Sequence, residues 1–157
     1  MVAITLDNAG RDIPMFITKL LRNNLTDPMS RTDNWIFKSQ KTDPIDRADL
    51  PRVIIDNTEF NTEYRGLSDN SGTLMPGPIN IEIVIYSNSI RYRDQIADDI
   101  RDILFNSSSE DDEGDSIKSN HLILRRCSEI VEDFFASHSR IIRSKRLICE
   151  FRYTGVT

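Results

Sequence analysis

The chain is 157 residues long, with 38% hydrophobic and 29% charged residues, which is room and composition for one ordinary folded domain with its own core. Lys and Arg number 20 against 25 Asp and Glu, a formal net charge of -5, and this argues against a general grip on nucleic acid, which needs a basic surface to replace counterions on phosphates. No apolar run approaches the ~20 residues that span a bilayer, and Met1-Val2-Ala3-Ile4-Thr5-Leu6-Asp7 lacks the regions of a signal peptide, so a protein made and kept in a cytosol without a membrane partner is expected.

Ile13, Phe16, Ile17, Leu20, Leu21 and Leu25 recur at i, i+3, i+4, i+7, with Asp12 before them as N-cap and Pro14 in the first turn. The spacing predicts an amphipathic helix of about three turns. Thr26-Asp27-Pro28 stops it near Leu25, because the residue before proline is pushed out of the α region.

Trp35-Ile36-Phe37-Lys38-Ser39-Gln40 reads as an extended or edge strand, and Arg52 to Phe60 as a strand with an apolar start and a polar tail that leaves the core. Gly66, Gly72, Pro76, Gly77 and Pro78 then crowd a Ser- and Asn-containing stretch, so residues 67–77 are expected to form a long, flexible loop. Ile79, Ile81, Ile83 and Ile85 alternate at period two and mark a half-buried central strand ending at Tyr86. Ser87-Asn88-Ser89 supplies a turn and an N-cap for a helix from Ile90 to Phe105, with Tyr92, Ile96, Ile100, Ile103 and Leu104 inward. On its wet side Arg91 and Asp94, and Asp98 and Arg101, stand three residues apart and can pair.

Residues 106–116 carry Glu110, Asp111, Asp112, Glu113 and Asp115 with no basic residue, and are expected to be a solvated, flexible loop. The alternating oxygen ligands and distal Glu of a calcium-binding loop are absent from this stretch. Asn120 to Val131 reads as strand, with a helical alternative around Ser128 to Phe135. Arg140 to Tyr153 is a long strand with Leu147, Cys149, Phe151 and Tyr153 on one side, hairpin-paired with 121–131 through the 133–139 connection.

The two cysteines, Cys127 and Cys149, and the two histidines, His121 and His138, show no metal-ligand spacing. A buried thiol behaves as a small hydrophobe, and two free thiols are expected in a cytosol. Neither a phosphate-cradling glycine loop nor a nucleophile elbow is present, so nucleotide hydrolysis and serine-hydrolase chemistry are not expected, and neither is a cofactor or metal. The strongest enzymatic alternative places Mg²⁺ on Asp56, Glu59, Glu63 and Glu82 in a nuclease, but Val84 stands where a catalytic lysine would follow Glu82.

The last strand is locally basic, with Arg140, Arg143, Lys145, Arg146 and Arg152 against Glu150 alone. Four readings remain open for it: a solvated sheet face, an edge protected from aggregation, a subunit contact with an acidic patch of another copy, or a nucleic-acid strip. The nucleic-acid strip lacks exposed aromatics, because Phe151 and Tyr153 alternate inward. Together these elements predict an α+β fold: a mainly antiparallel sheet of four or more strands, both helices on one face, long loops, and a core on Ile81, Ile83, Ile85, Ile96, Ile100, Leu147 and Phe151.

The order of elements resembles the tail-terminator, or tail-completion, proteins of long-tailed phages and related archaeal viruses. The resemblance is carried by the helix Ile13 to Leu25, the strands Arg52-Val53-Ile54-Ile55 and Ile79 to Tyr86 around a Gly/Pro loop, the helix entered at Ser89-Ile90-Arg91-Tyr92-Arg93-Asp94, and the closing Arg146-Leu147-Ile148-Cys149-Glu150-Phe151-Arg152-Tyr153. It covers nearly the whole chain, as a single domain over 1–157, and the acidic 106–116 insertion is longer than that layout requires. The resemblance implies a virion protein without catalysis: a homo-oligomeric ring of six subunits that caps the tail tube, meets the head-tail connector or neck proteins, and binds no specific nucleic acid. The expected subunit or partner contacts are Arg140, Arg143, Lys145, Arg146, Leu67, Leu74 and Met75. Another neck component, such as a head-completion or adaptor protein, is the alternative in the same class, and a small monomeric binding module is one outside it.

Overall fold

A computed structural model describes residues 4, 9–38, 50–65, 73–136 and 140–154. Its elements run α1 (Ala9–Asn24), β1 (Ile36–Phe37), β2 (Arg52–Arg65), β3 (Thr73–Ser87), α2 (Ile90–Phe105), β4 (Leu122–Val131), β5 (Phe134–Ala136) and β6 (Arg140–Tyr153). The strands form one six-stranded sheet in the order β1-β2-β3-β6-β4, with β5 also paired to β6. Only β1 and β2 are parallel, so the fold is α+β with a mixed, mostly antiparallel sheet.

The isoleucine strand is central because apolar partners meet it on both sides. Ile83 faces Ile55 on β2 and Leu147 on β6, Ile81 faces Cys149, and Ile79 faces Phe151. Ile13, Phe16, Ile17, Leu20 and Leu21 of α1 and Ile96, Ala97, Ile100 and Leu104 of α2 join these side chains in one buried cluster. Both helices therefore share one face of the sheet, and burying each large aliphatic side chain there contributes about 1.5–3 kcal/mol.

α1 begins at Ala9, earlier than the Asp12 cap expected from sequence. Asp12 instead lies in the first turn, where a carboxylate suits the helix N-terminus, and Arg11 binds it at 2.6 Å. α2 has the expected bounds, and Ser89 caps it by accepting from the Tyr92 amide. Its inward stripe differs at two positions: Arg93 and Ala97 are buried, whereas Tyr92 and Ile103, expected inward, are half-buried. Arg93 tolerates this because its guanidinium reaches Asp94 at 2.9 Å and Asp133 at 3.0 Å while its stem packs inside.

One loop expectation is corrected. Residues 73–77 belong to β3 and pair with β2, Leu74 opposite Tyr64 and Met75 opposite Glu63, while 67–72 lie outside the described residues. The prolines misled because β3 pairs with β6 only from Ile79 onward, so Pro76 and Pro78, which have no N–H, sit where the strand has no bond to donate to β6. A register shift between Phe60 and Thr62 accommodates Pro76 on the other edge.

The acidic 106–116 stretch is a largely exposed loop, as its composition predicts, with hydrogen bonds that composition does not show. Asp111 is 3% exposed, and its carboxylate accepts from the Glu113 and Asp115 amides at 2.9 Å each. Gly114, at φ 81°, makes the left-handed turn between them, a conformation that costs a side-chain-bearing residue. The Asn23 and Asn24 amides donate to the Glu110 carbonyl at 2.9 and 2.8 Å, Lys19 binds Glu113 at 2.6 Å, and buried Ile117 pins the far end. Hydrogen bonds and one apolar anchor thus replace the core burial that the composition lacks.

Candidate interaction surface

β4 is a strand as expected, and a long one, hydrogen-bonded to β6 from Leu122 opposite Tyr153 to Val131 opposite Lys145. After Asp133 the chain continues as β5, which pairs Phe134 with Ile142 and Phe135 with Ile141. Since β3 stops at Ser87 opposite Arg143, the β5–β6 hairpin runs past the end of the main sheet.

Alternation fixes which side each residue faces. Leu147, Cys149, Phe151 and Tyr153 are buried toward the helices, so Arg146, Ile148, Glu150 and Arg152 belong to the opposite, helix-free side. Glu82, Val84 and Tyr86 of β3 share that side. The Tyr86 ring meets Phe134 edge-on at 5.9 Å, which ties the projecting hairpin to the sheet.

Of the expected contact residues, the structure groups three in an internal charge network. Lys145, 8% exposed, binds Asp94 at 2.9 Å and Glu129 at 3.1 Å. Arg143 binds Asp133 at 3.0 Å, and Arg146 binds Glu82 and, at 3.3 Å, Glu132. Asp133 also receives Arg93 and the Ser144 amide, the latter at 2.8 Å, so one carboxylate joins α2, β6 and the turn into β5. Arg140 lies on β6 opposite Ala136, and Leu74 and Met75 lie on the β2–β3 hairpin, with none of these three side chains described. Leu67 lies outside the described residues.

The ionisation of this network follows its geometry. The Arg93 and Lys145 bonds hold the Asp94 carboxyl below its ordinary pKa. Burial works against the charged form of Lys145, yet its bonds to Asp94 and Glu129 outweigh burial and lift its pKa above the usual lysine value. On α2 the expected Asp98–Arg101 pair forms, whereas Asp94 turns to Arg93 and Lys145 instead of Arg91.

Sequence reasoning named Arg152 in the basic strand but missed its neighbours on β4. Arg125, Arg126 and Arg152 are exposed and pair with no described residue, and exposed Ile123 stands opposite Arg152. It also missed a run of exposed apolar side chains along the β4 edge and hairpin: Ile130, Val131, Phe134, Phe135 and Ile141, of which Phe135 is 75% exposed. The Phe134-Phe135 pair was the available signal, but it lay in a segment read as a connection.

Among the described residues, those of the nuclease alternative do not assemble a cation site. Glu82 is bound by Arg146, Asp56 is half-buried, Glu59 is exposed, and the Glu63 side chain is not described. Among the described residues no group of three or more His, Cys, Asp or Glu side chains is placed to hold a metal ion. Cys127 and Cys149 are directly paired across β4 and β6 with their sulfurs 3.6 Å apart, well beyond the ~2.05 Å of a disulfide. Both are free thiols, Cys149 buried and Cys127 half-buried. The contact between them holds the Cys127 pKa down and, together with burial, pushes that of Cys149 up. No helix among the described residues is long and apolar enough to cross a membrane. No family model matches the chain, and no curated protein matches it.

Proposed function

We propose that the chain is a structural assembly protein of a tailed virus, a tail terminator that forms a ring at the end of the tail tube and joins it to the neck. The observation that carries this reading is the β4 edge with its hairpin, which no described strand pairs and where Val131, Phe134, Phe135 and Ile141 are exposed. Apolar side chains grouped beside an open strand edge mark a surface that a protein partner covers. The element order from α1 to β6 supports the same reading through the resemblance drawn from sequence. In the assembled particle, the ring would bring the chain's partners into contact: other copies of itself, the tube protein and the neck proteins.

Cryo-electron microscopy of the virus particle that encodes the chain tests the proposal. The expected result is a ring of this fold between tail tube and neck. Density within the neck, away from the tube end, would assign a head-completion or adaptor role instead. Absence of the chain from purified particles would overturn the structural reading.

A further inference from the structure

Two clusters of charged groups that pair with no described residue lie on opposite sides of the sheet. On the helix-free side of the sheet, Arg126 stands opposite Glu150 and Arg152 opposite Ile123, with Arg125 at the register shift beside them. These three arginines outnumber Glu150 and pair with no described residue. Ile123, 52% exposed, supplies an apolar centre to the patch.

The other face of the molecule is the outer side of α2. Its core-facing residues are Arg93, Ile96, Ala97, Ile100 and Leu104, so Asp98, Asp99, Asp102 and Phe105 point away from the sheet. Arg101 neutralises Asp98, while Asp99 and Asp102 pair with no described residue. Their position is unfavourable within the isolated chain: the last turn of α2 has no basic residue, and carboxylates there meet the negative end of the helix dipole as well as each other. Burial, followed by the repulsion of Asp102 and Asp98, pushes the Asp99 pKa up. Phe105, 56% exposed, gives this patch an apolar neighbour of its own.

We propose that the Arg125, Arg126 and Arg152 patch beside Ile123 docks on the Asp99 and Asp102 face of α2 beside Phe105 in a second copy of the chain. The contact rests on the self-assembly reading above and adds which surfaces meet. Because the two patches lie on opposite faces, the contact is head-to-tail and leaves each copy with one patch free for the next, which is how rings and open helices grow. Opposite charges fix the register of approach, and Ile123 and Phe105 exclude water at its centre. The network cations Arg143, Lys145 and Arg146 stay engaged inside each subunit.

The test is sedimentation velocity of the purified full chain and three variants: Arg126→Glu/Arg152→Glu, Asp99→Arg/Asp102→Arg, and all four changes together. Each double reversal is expected to weaken self-association at least about tenfold, since like charges then face each other. The fourfold variant, with the charges exchanged, is expected to recover it. Matching circular dichroism and melting curves would show that each variant folds. Self-association unchanged in both double variants, failure of the fourfold variant to recover, or a wild-type chain that stays monomeric at every concentration would overturn the proposal. A wild type that assembles but ignores the reversals leaves the ring reading standing and removes only these surfaces, whereas a chain absent from virus particles removes the ring reading itself.

Discussion

Lys145 sits on the helix side of β6 at 8% exposure and tolerates that burial because Asp94 and Glu129 approach its ammonium at 2.9 and 3.1 Å. The neighbouring Asp133 is more connected, with Arg93, Arg143 and the Ser144 amide all donating to it. Replacing Asp133 by alanine leaves the largely buried Arg93 with Asp94 alone, and the expected loss of stability is about 2 kcal/mol by urea unfolding. Burial opposes ionisation of Asp133, but the Ser144 amide, Arg143 and Arg93 together hold its pKa below the ordinary aspartate value, as Arg93 and Lys145 do for Asp94. Groups with depressed folded pKa values contribute fully above the unfolded value of about 3.9 and lose the contribution as acid takes the pH down through the folded value. Lys145 is the reverse case, contributing below about 10.4 and losing its share as the pH rises through its raised folded value. Urea midpoints are therefore expected to stay level between these limits and fall at both ends, and in Asp133→Asn the acid fall becomes shallower. The cysteines give a separate residue-scale expectation: brief alkylation of the folded protein at mildly alkaline pH modifies Cys127, whose thiolate is favoured and half-exposed, and spares buried Cys149. Peptide mass spectrometry reads the outcome, and equal labelling of both would contradict the packing of β4 on β6.

α2 shows what an element signals when its pattern and its ends agree. Ser89 caps it, and Ile96, Ile100 and Leu104 hold it to the sheet. Ile100→Ala removes a fully buried side chain from that seam, and an increase in unfolding tendency of about 3 kcal/mol is expected from thermal or urea melts. The period-two run of β3 and the long alternation of β6 were legible for the same reason, since each buries one face. The β2–β3 hairpin was not, because Gly and Pro punctuation reads as loop wherever pairing runs beyond the core and packing no longer selects the residues. Residues 106–116 are the exposed loop that composition predicts, but composition does not show Asp111 bonding the amides of its own turn or Asn23 and Asn24 reaching Glu110 from another element. The charge of the last strand was likewise legible as a count, but its partners Asp94, Glu129 and Asp133 come from α2 and the β4–β5 region, and only the tertiary pairing shows which arginines are left over.

Two kinds of exposed surface are candidates for the proposed association. One is the set of charged faces, Arg126 and Arg152 on one side and Asp99 and Asp102 on the other; the other is the apolar hairpin of Val131, Phe134, Phe135 and Ile141. Ionic strength separates them, because raising salt from about 0.1 M to about 1 M shortens the screening length from about 10 Å to about 3 Å, whereas burial of apolar surface is not screened and strengthens in salts excluded from protein surfaces. If the charged faces carry the contact between copies, the association constant measured by sedimentation falls steadily across that range. A constant that holds or rises with salt assigns the contact to the hairpin, and Phe135→Ser, at a side chain 75% exposed and so of little consequence for folding, then becomes the change that abolishes it. The sheet supports either result, since no described strand pairs with the outward edge of β4, and Ile123, Arg125 and Arg126 are exposed along it. In a ring built head-to-tail by the charged faces, the hairpin remains uncovered on every subunit, and it is there that a tube or neck protein is expected to bind.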